Sequence, residues 1–336
     1  MRIQPKYVVR VKPADIGSRV TLRMITDSER YRDVVGELIS WSGGILRVRR
    51  RDGTIADVPE QLLVAGKVVP PAPPSRSARR PPARVIGDLE LEEIAARGWQ
   101  GFESEWLGQW LLRASEGFTG RANSVLPLGD PGLPLAAALD RVDQWYASRG
   151  LPARFQVPLP ARADLDEELA AGGWSTKDRT QVLTAPIEAV LATGSDPADL
   201  PDLTVEDEPS AQWLKLYHYR GGPPPPLAAR QLRQADRPVF VSIRDGERSI
   251  AVARGALTPG WLGITAVEVA ESARRRGLGG YIVRQLCRWA AVAGPEHAHS
   301  VYLQVQGGNE AALALYERLG FAPHHDYQYR IAPTRT

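Results

Sequence analysis

Chemistry-bearing residues concentrate in one stretch of this 336-residue chain, Gly263-Ile264-Thr265-Ala266-Val267-Glu268-Val269-Ala270-Glu271-Ser272-Ala273-Arg274-Arg275-Arg276-Gly277-Leu278-Gly279-Gly280. A β-branched run leads into a loop of three arginines and three glycines, and a helical pattern, YIVRQLCRWAAVAG, follows at once. Glycines let a backbone approach a pyrophosphate, the free N–H groups of a helix start point at it, and the helix dipole adds partial positive charge. The loop therefore reads as an anion cradle. A dinucleotide fingerprint would need G-x-G-x-x-G early in a βαβ unit, and a P-loop would need Gly-Lys-Ser/Thr. Arg274 to Gly279 instead reads R-x-x-G-x-G, which excludes both.

Other reactive side chains carry less. His297-Ala298-His299 and His324-His325 lack the carboxylate or cysteine company of a metal site, so they read as solvated or structural, and no metal site is expected. Cys287, the single cysteine, falls one turn from Val283 on an apolar helix face and reads as a small buried hydrophobe. It rules out an intramolecular disulfide and fits a reducing cytoplasm. No stretch approaches the roughly 18 apolar residues of a membrane span, and no secretion signal is visible.

The elements that must position the cradle divide the chain. Residues 70–84, PPAPPSRSARRPPAR, contain six prolines and four arginines, and read as an extended linker. Ahead of it, residues 1–69 alternate in short runs (Val20 to Met24, Val34 to Ile39, Ile45 to Arg49) separated by Ser42-Gly43-Gly44 and Asp52-Gly53, as half-buried strands do. About five such strands in so short a segment resemble a small SH3-like barrel. Residues 1–84 hold 17 Lys and Arg against 8 Asp and Glu, a surplus of nine, whereas the rest of the chain is net negative by six. Arg47, Arg49 and Arg51 share one strand face. This basic segment suits nucleic acid or an acidic protein face, or is only a solvated surface.

From residue 85 onward, strand and helix patterns alternate in the α/β manner. Residues 155–185 and 303–332 each give a strand, an amphipathic helix, a glycine followed by Trp174 or Phe321, and another strand. Two related halves, 85–199 and 200–336, are expected in place of one large sheet. The 43% hydrophobic content is enough for real cores, and 24% charge excludes a disordered chain.

The order of strands near Pro238 to Ile243 and Ser249 to Leu257, the Val267-Glu268-Val269 strand, the Arg274 to Gly280 loop and its helix, the strand Val301 to Val305, Asn309 and Leu315-Tyr316-Glu317-Arg318-Leu319-Gly320-Phe321 resembles the GNAT superfamily of acyl-CoA-dependent N-acetyltransferases. The whole layout looks like actinobacterial acetyltransferases with an amino-terminal SH3-like domain. The resemblance implies a fold of class α/β (α+β) after an all-β barrel, and transfer of an acetyl group from acetyl-CoA to a primary amine, on a small molecule or a protein lysine or amino terminus. Attack would be direct, in a ternary complex. The alternative is an acyl-CoA-sensing or inactive body.

Residue by residue, the resemblance implies that Val267, Glu268 and Val269 offer backbone groups to the pantetheine arm where their strand splays from its neighbour. Arg274, Arg275, Arg276, Gly277, Leu278, Gly279 and Gly280 would hold the pyrophosphate. Asn309 would pair with the pantetheine or cap its helix, and Tyr316 would protonate the departing thiolate. Glu268 is the first choice of general base, Glu271 the second, and solvent a third, since the glutamate that some family members carry near Gly263 is missing. The Pro127 to Pro134 turn of the first half, rich in proline and bearing Asp130, should not bind CoA. Phe118 to Ser124 is either a surface loop or faces substrate.

Overall fold

The computed structural model describes residues 9–25, 31–50, 54–69, 86–194, 203–219, 221–294 and 297–333. The chain divides into two compact units, Met1–Val85 and Ile86–Thr336. The expected linker, Arg51 and the Asp52-Gly53 turn lie outside the described residues.

The first unit is one antiparallel sheet of β1 (Arg19–Ile25), β2 (Tyr31–Ser42), β3 (Ile45–Arg49), β4 (Ile55–Pro59) and β5 (Leu63–Val68), in the order β4-β3-β2-β1-β5. Alternate residues Val20, Leu22, Val34, Leu38, Leu46, Val48 and Val58 form its core. Gly43 and Gly44 both take positive φ, turning β2 back into β3. Among the described residues the expected SH3-like barrel is not present, because β4 and β5 are the outer strands and no ladder joins them. A barrel requires its first and last strands to pair. Alternation and turns specify half-buried strands equally well for an open sheet, and closure is a long-range pairing that they do not encode. On the β3 face, Arg47 pairs with Asp57 at 3.4 Å and Arg49 with Glu37 at 3.3 Å, so these two arginines are already matched by carboxylates.

The second unit opens with α1 (Asp88–Gly98), a small sheet of β6 (Glu103–Leu107), β7 (Trp110–Ala114) and β8 (Leu126–Pro127), and α2 (Leu135–Ala147). Next come β9 (Arg154–Leu159), α3 (Ala163–Ala171), β10 (Ser175–Pro186), α4 (Ile187–Leu191), β11 (Leu203–Glu206), α5 (Ala211–Leu216) and α6 (Ala228–Leu232). The chain continues through β12 (Pro238–Asp245), β13 (Arg248–Thr258), β14 (Gly260–Val269), α7 (Leu278–Ala291), β15 (Ala298–Gln306), α8 (Glu310–Arg318) and β16 (Ala322–Ile331).

Eight strands form a single sheet in the order β11-β12-β13-β14-β15-β10-β16-β9, correcting the expectation that the two halves avoid one large sheet. The two similar segments fold as β9-α3-β10 and β15-α8-β16, and they interleave. The second strand of each, β10 or β16, pairs with both strands of the other unit. Both helices end alike. Gly173 and Gly320 take positive φ, Trp174 N–H donates to Leu169 O, and Phe321 N–H donates to Tyr316 O, each at 3.0 Å. Leu169 thus stands where the second copy has Tyr316.

The core lies between this sheet and α7, whose Ile282, Val283, Leu286, Cys287 and Ala290 recur on one face and are all buried. Burial pushes the Cys287 thiol up to about 12, as fits a packing residue.

Candidate active site

Three elements of the sheet meet at a fork. β14 runs parallel to β15 and pairs with it from Gly260 to Ile264, opposite Leu303, and there the ladder ends. From Thr265 to Val269 the β15-facing edge of β14 has no strand beside it among the described residues, while its other edge stays paired with β13. An extra residue sits in β14 against β13, since Arg254 opposes Thr265 but Val252 opposes Glu268. Ala266 takes a φ of 54° at this bulge. Simple alternation of Glu268 with Val267 and Val269 would turn the carboxylate away; the bulge resets the alternation, and Val267 and Glu268 both face one cleft of about 440 Å³.

Glu268 is half-buried there, and burial raises its carboxyl above the ordinary range while His218 and Arg274 pull it the other way. Glu271, the second candidate base, is exposed in a short turn, Glu271–Ala273, and does not line the cleft. A side chain at Gly263 would collide with the Tyr302 hydroxyl, so the position where some relatives carry a glutamate is filled by a phenol from β15.

The arginine-glycine loop joins β14 to α7. Arg274, Arg275 and Arg276 are exposed, and Arg274 Nε donates to Val269 O at 3.4 Å, tying the loop to the end of β14. Arg275 has a φ of 62° and Gly277, which precedes the first turn of α7, a φ of 79°. Non-glycine residues are disfavoured in this region, so the loop conformation is held by its surroundings. Leu278 is buried in the core. Gly279 has a second role, since a Cβ there would stand 3.2 Å from Leu315 Cδ2, and its absence lets α7 lie close to α8. Gly280 faces Arg284, Leu315 of α8 and Leu319 just after it.

Asn309 caps α8, its Oδ1 accepting from Ala312 N–H at 3.1 Å. Tyr316 is buried, packs edge-on against Phe321 at 5.6 Å between ring centroids, and has no hydrogen-bond partner for its hydroxyl among the described residues. Burial, reinforced by the negative charge of Glu268, pushes its phenol up to about 12. Tyr316 thus feels the charge of Glu268 but, unlike Glu268, is not among the residues that line the cleft.

The rest of the cleft comes from residues the motif reading did not collect. Thr119, Gly120 and Arg121 supply one wall, from the stretch left open above as surface loop or substrate-facing. Arg154, Lys177 and Gln304 come from β9, β10 and β15, and Tyr217, His218 and Tyr219 from the segment after α5. Gly221 to Pro226, which follow this segment, are not among the lining residues. A faint signal did exist for Gln304. Gln156 and Gln304 are each the second residue of the repeated segments, an amide flanked by apolar residues on both sides. Beneath the cleft the fully buried Arg254 donates to Leu232 O, Gly98 O, Gln234 O and Thr265 Oγ1, and desolvation pulls its guanidinium down to about 9. Away from the cleft, His324 and His325 do have carboxylate company, contrary to the expectation from sequence. His325 Nε2 lies 3.0 Å from Glu92 Oε1, and His324 Nδ1 3.6 Å from Asp88.

A family model described as "Probable histone acetyltransferase Rv0428c C-terminal" matches residues 89–330. Over 334 residues, 94% of each chain, the protein is 32% identical to the probable histone acetyltransferase Rv0428c of Mycobacterium tuberculosis (strain ATCC 25618 / H37Rv). Over 246 residues, 72% of this chain and 97% of the other, it is 30% identical to the uncharacterized N-acetyltransferase YobR of Bacillus subtilis (strain 168). Its fold is similar to that of a GCN5-related N-acetyltransferase from Kribbella flavida, at a TM-score of 0.51 and 17% identity over 74% of this chain and 96% of that one. A tandem GNAT protein from the clavulanic acid biosynthesis pathway gives the same TM-score at 15% identity, over 63% of this chain and 76% of that one. The solved structures show the fold of a GNAT protein, and a match spanning residues 89–330 with two relatives at 30% identity or above shows that the chain belongs to the Rv0428c C-terminal family and is an acyl-CoA-dependent acetyltransferase.

Proposed function

We propose that the protein transfers an acetyl group from acetyl-CoA to a primary amine by direct attack in a ternary complex, at the fork between β14 and β15. The observation that carries this reading is the fork itself: an unpaired strand edge at Thr265–Val269 ends beside the start of α7 and opens onto the cleft that holds Glu268. The residues present suit acetyl-CoA. Backbone groups of Val267 to Val269 accept the pantetheine arm as an added strand would be accepted. The loop from Arg274 to Gly280 offers N–H groups and three exposed cations to the pyrophosphate. When bound, acetyl-CoA supplies the activated acyl group.

The chain's own residues do the rest. Glu268, raised toward the pH at which a carboxylate is an effective base, takes the proton of the arriving ammonium directly or through water. Tyr316 directs its hydroxyl to the departing sulfur. Residues 200–336 form the acetyl-CoA-binding part in this reading, and residues 85–199 wall the acceptor cleft. The Pro127 to Pro134 turn is unsuited to a second CoA, since three prolines lack N–H groups, those of Leu128, Asp130 and Gly132 are already engaged, and Asp130 adds negative charge. An acidic partner for residues 1–84, nucleic acid or protein, is supported by that segment's surplus of nine positive charges, and a cytoplasmic location by the single cysteine.

The test is thiol release from acetyl-CoA by the purified protein across a panel of primary amines, with acetylated products identified by mass. Release that depends on an amine, and that falls in Glu268→Gln and Tyr316→Phe, is expected. A protein that binds acetyl-CoA tightly yet transfers to no amine between pH 6 and about 9, where amines begin to be neutral, would point to the sensing alternative.

A further inference from the structure

The acceptor cleft is charged in an uneven way. Three cations line it, Arg121, Arg154 and Lys177, and among the described residues none of them is paired with a carboxylate. Two carboxylates face the same space. Asp178 Oδ1 already accepts from Gln306 Nε2 at 3.1 Å, and Glu268 belongs to the fork. Arg121 stacks 4.8 Å from the Trp99 ring and donates to Gln304 Oε1 at 2.5 Å. Tyr327 O–H donates to the same oxygen at 3.3 Å. Two donors on Oε1 settle the orientation of the amide, so Gln304 Nε2 must be a donor, and it is buried with no partner. Arg154 Nε is likewise buried and unpartnered. Each such donor costs about 1–3 kcal/mol when left unmet, and both residues line one cavity.

Two orphaned donors and three cations without carboxylates call for an oxyanion. We propose that the acceptor is a small amine that also carries a carboxylate or phosphate group, with the oxyanion held by Arg121, Arg154, Lys177 and Gln304 and the amine presented to Glu268. This rests on the transferase reading above and narrows it to a substrate class. The volume of about 440 Å³ is within the range of small-molecule sites, and Trp99, Tyr217 and Tyr329 give the middle of the substrate aromatic walls. A lysine on a basic peptide meets the same three cations and is disfavoured by like charge.

The full-length protein is assayed with acetyl-CoA and four acceptors: 4-aminobutyrate, 4-aminobutanamide as its neutral counterpart, 2-aminoethyl phosphate, and a lysine-rich peptide. At least one of the two oxyanion amines should exceed the neutral amide in kcat/KM by about 10- to 100-fold, the value of a charge-assisted hydrogen bond. The arm that wins distinguishes carboxylate from phosphate. In Arg154→Met that preference should shrink by about ten-fold, and in Lys177→Met, whose exposed side chain leaves folding untouched, it should shrink as well. Equal use of charged and neutral amines, a preference unaltered in both variants, or faster acetylation of the basic peptide would overturn the proposal while leaving the transferase reading intact. Acetylation of no amine at all would overturn both.

Discussion

Replacing Tyr316 by phenylalanine removes a single oxygen from the site, and the structure sets how much it should matter. The phenol is pushed up to about 12, whereas an ordinary thiol titrates near 8.5, a gap of about 3.5 pH units or about 5 kcal/mol against full proton transfer to the leaving thiolate. The hydroxyl therefore keeps its proton and acts by donating a hydrogen bond to the sulfur as charge develops on it. Such a bond to a charged group contributes about 1.5–3 kcal/mol, or about 10- to 150-fold in turnover. The sequence-based role of general acid would allow losses up to about 10,000-fold. The hydroxyl has no partner among the described residues, so Tyr316→Phe removes no protein hydrogen bond and should not lower stability. Acetyl-CoA affinity should also hold. The assay is rapid-quench acetyl transfer at saturating acetyl-CoA and amine, with thermal unfolding and calorimetry alongside. An unchanged chemical step would refute the role of the hydroxyl. A loss beyond about 1,000-fold, with an alkaline limb that vanishes in the variant, would refute the hydrogen-bonding account in favour of full proton donation.

Glu268→Gln should cut turnover by about 100-fold or more, and the acidic limb of the wild-type profile should lie above the ordinary glutamate value of 4.5. Because folding raises this carboxyl, its contribution to stability is present below 4.5 and is lost as pH rises through the folded value. The glutamine variant should accordingly melt higher than wild type at neutral pH, with the gain vanishing as pH falls toward 4.5. Gly277→Val forces a β-branched residue to a φ of 79° at the start of α7 and should weaken acetyl-CoA binding by more than ten-fold in calorimetry, about 1.4 kcal/mol or more. Asn309→Ala should lower stability by about 1 kcal/mol through loss of the bond to Ala312 N–H, whereas Asn309→Asp keeps the cap. A raised KM for acetyl-CoA in the aspartate variant would show that the amide also meets the pantetheine.

What could be read in advance was local. The Arg274 to Gly280 loop is recognisable because the residue types that permit a left-handed turn before a helix are contiguous, and α7 follows from an apolar spacing within 14 residues. Barrel closure around β4 and β5 was misjudged because strand alternation records which face is buried and not which edges pair. The bulge at Ala266 left no trace, since its positive φ falls on an alanine that marks no turn, and this one distortion turns Glu268 to the cleft. Arg121, Arg154, Lys177 and Gln304 are separated by up to 183 positions and meet only because β10 inserts between β15 and β16. Tertiary pairing of that kind has no local signature.

Amide hydrogen exchange with and without acetyl-CoA tests the placement of the reaction most directly. The account predicts slowed exchange in Thr265 to Val269, where β14 has an unpaired edge, and in Arg275 to Gly280 at the start of α7, with no change in the turn from Leu128 to Gly132 of the first half. Protection of that turn, or acetyl-CoA binding that leaves both the β14 edge and the α7 start unprotected, would contradict it.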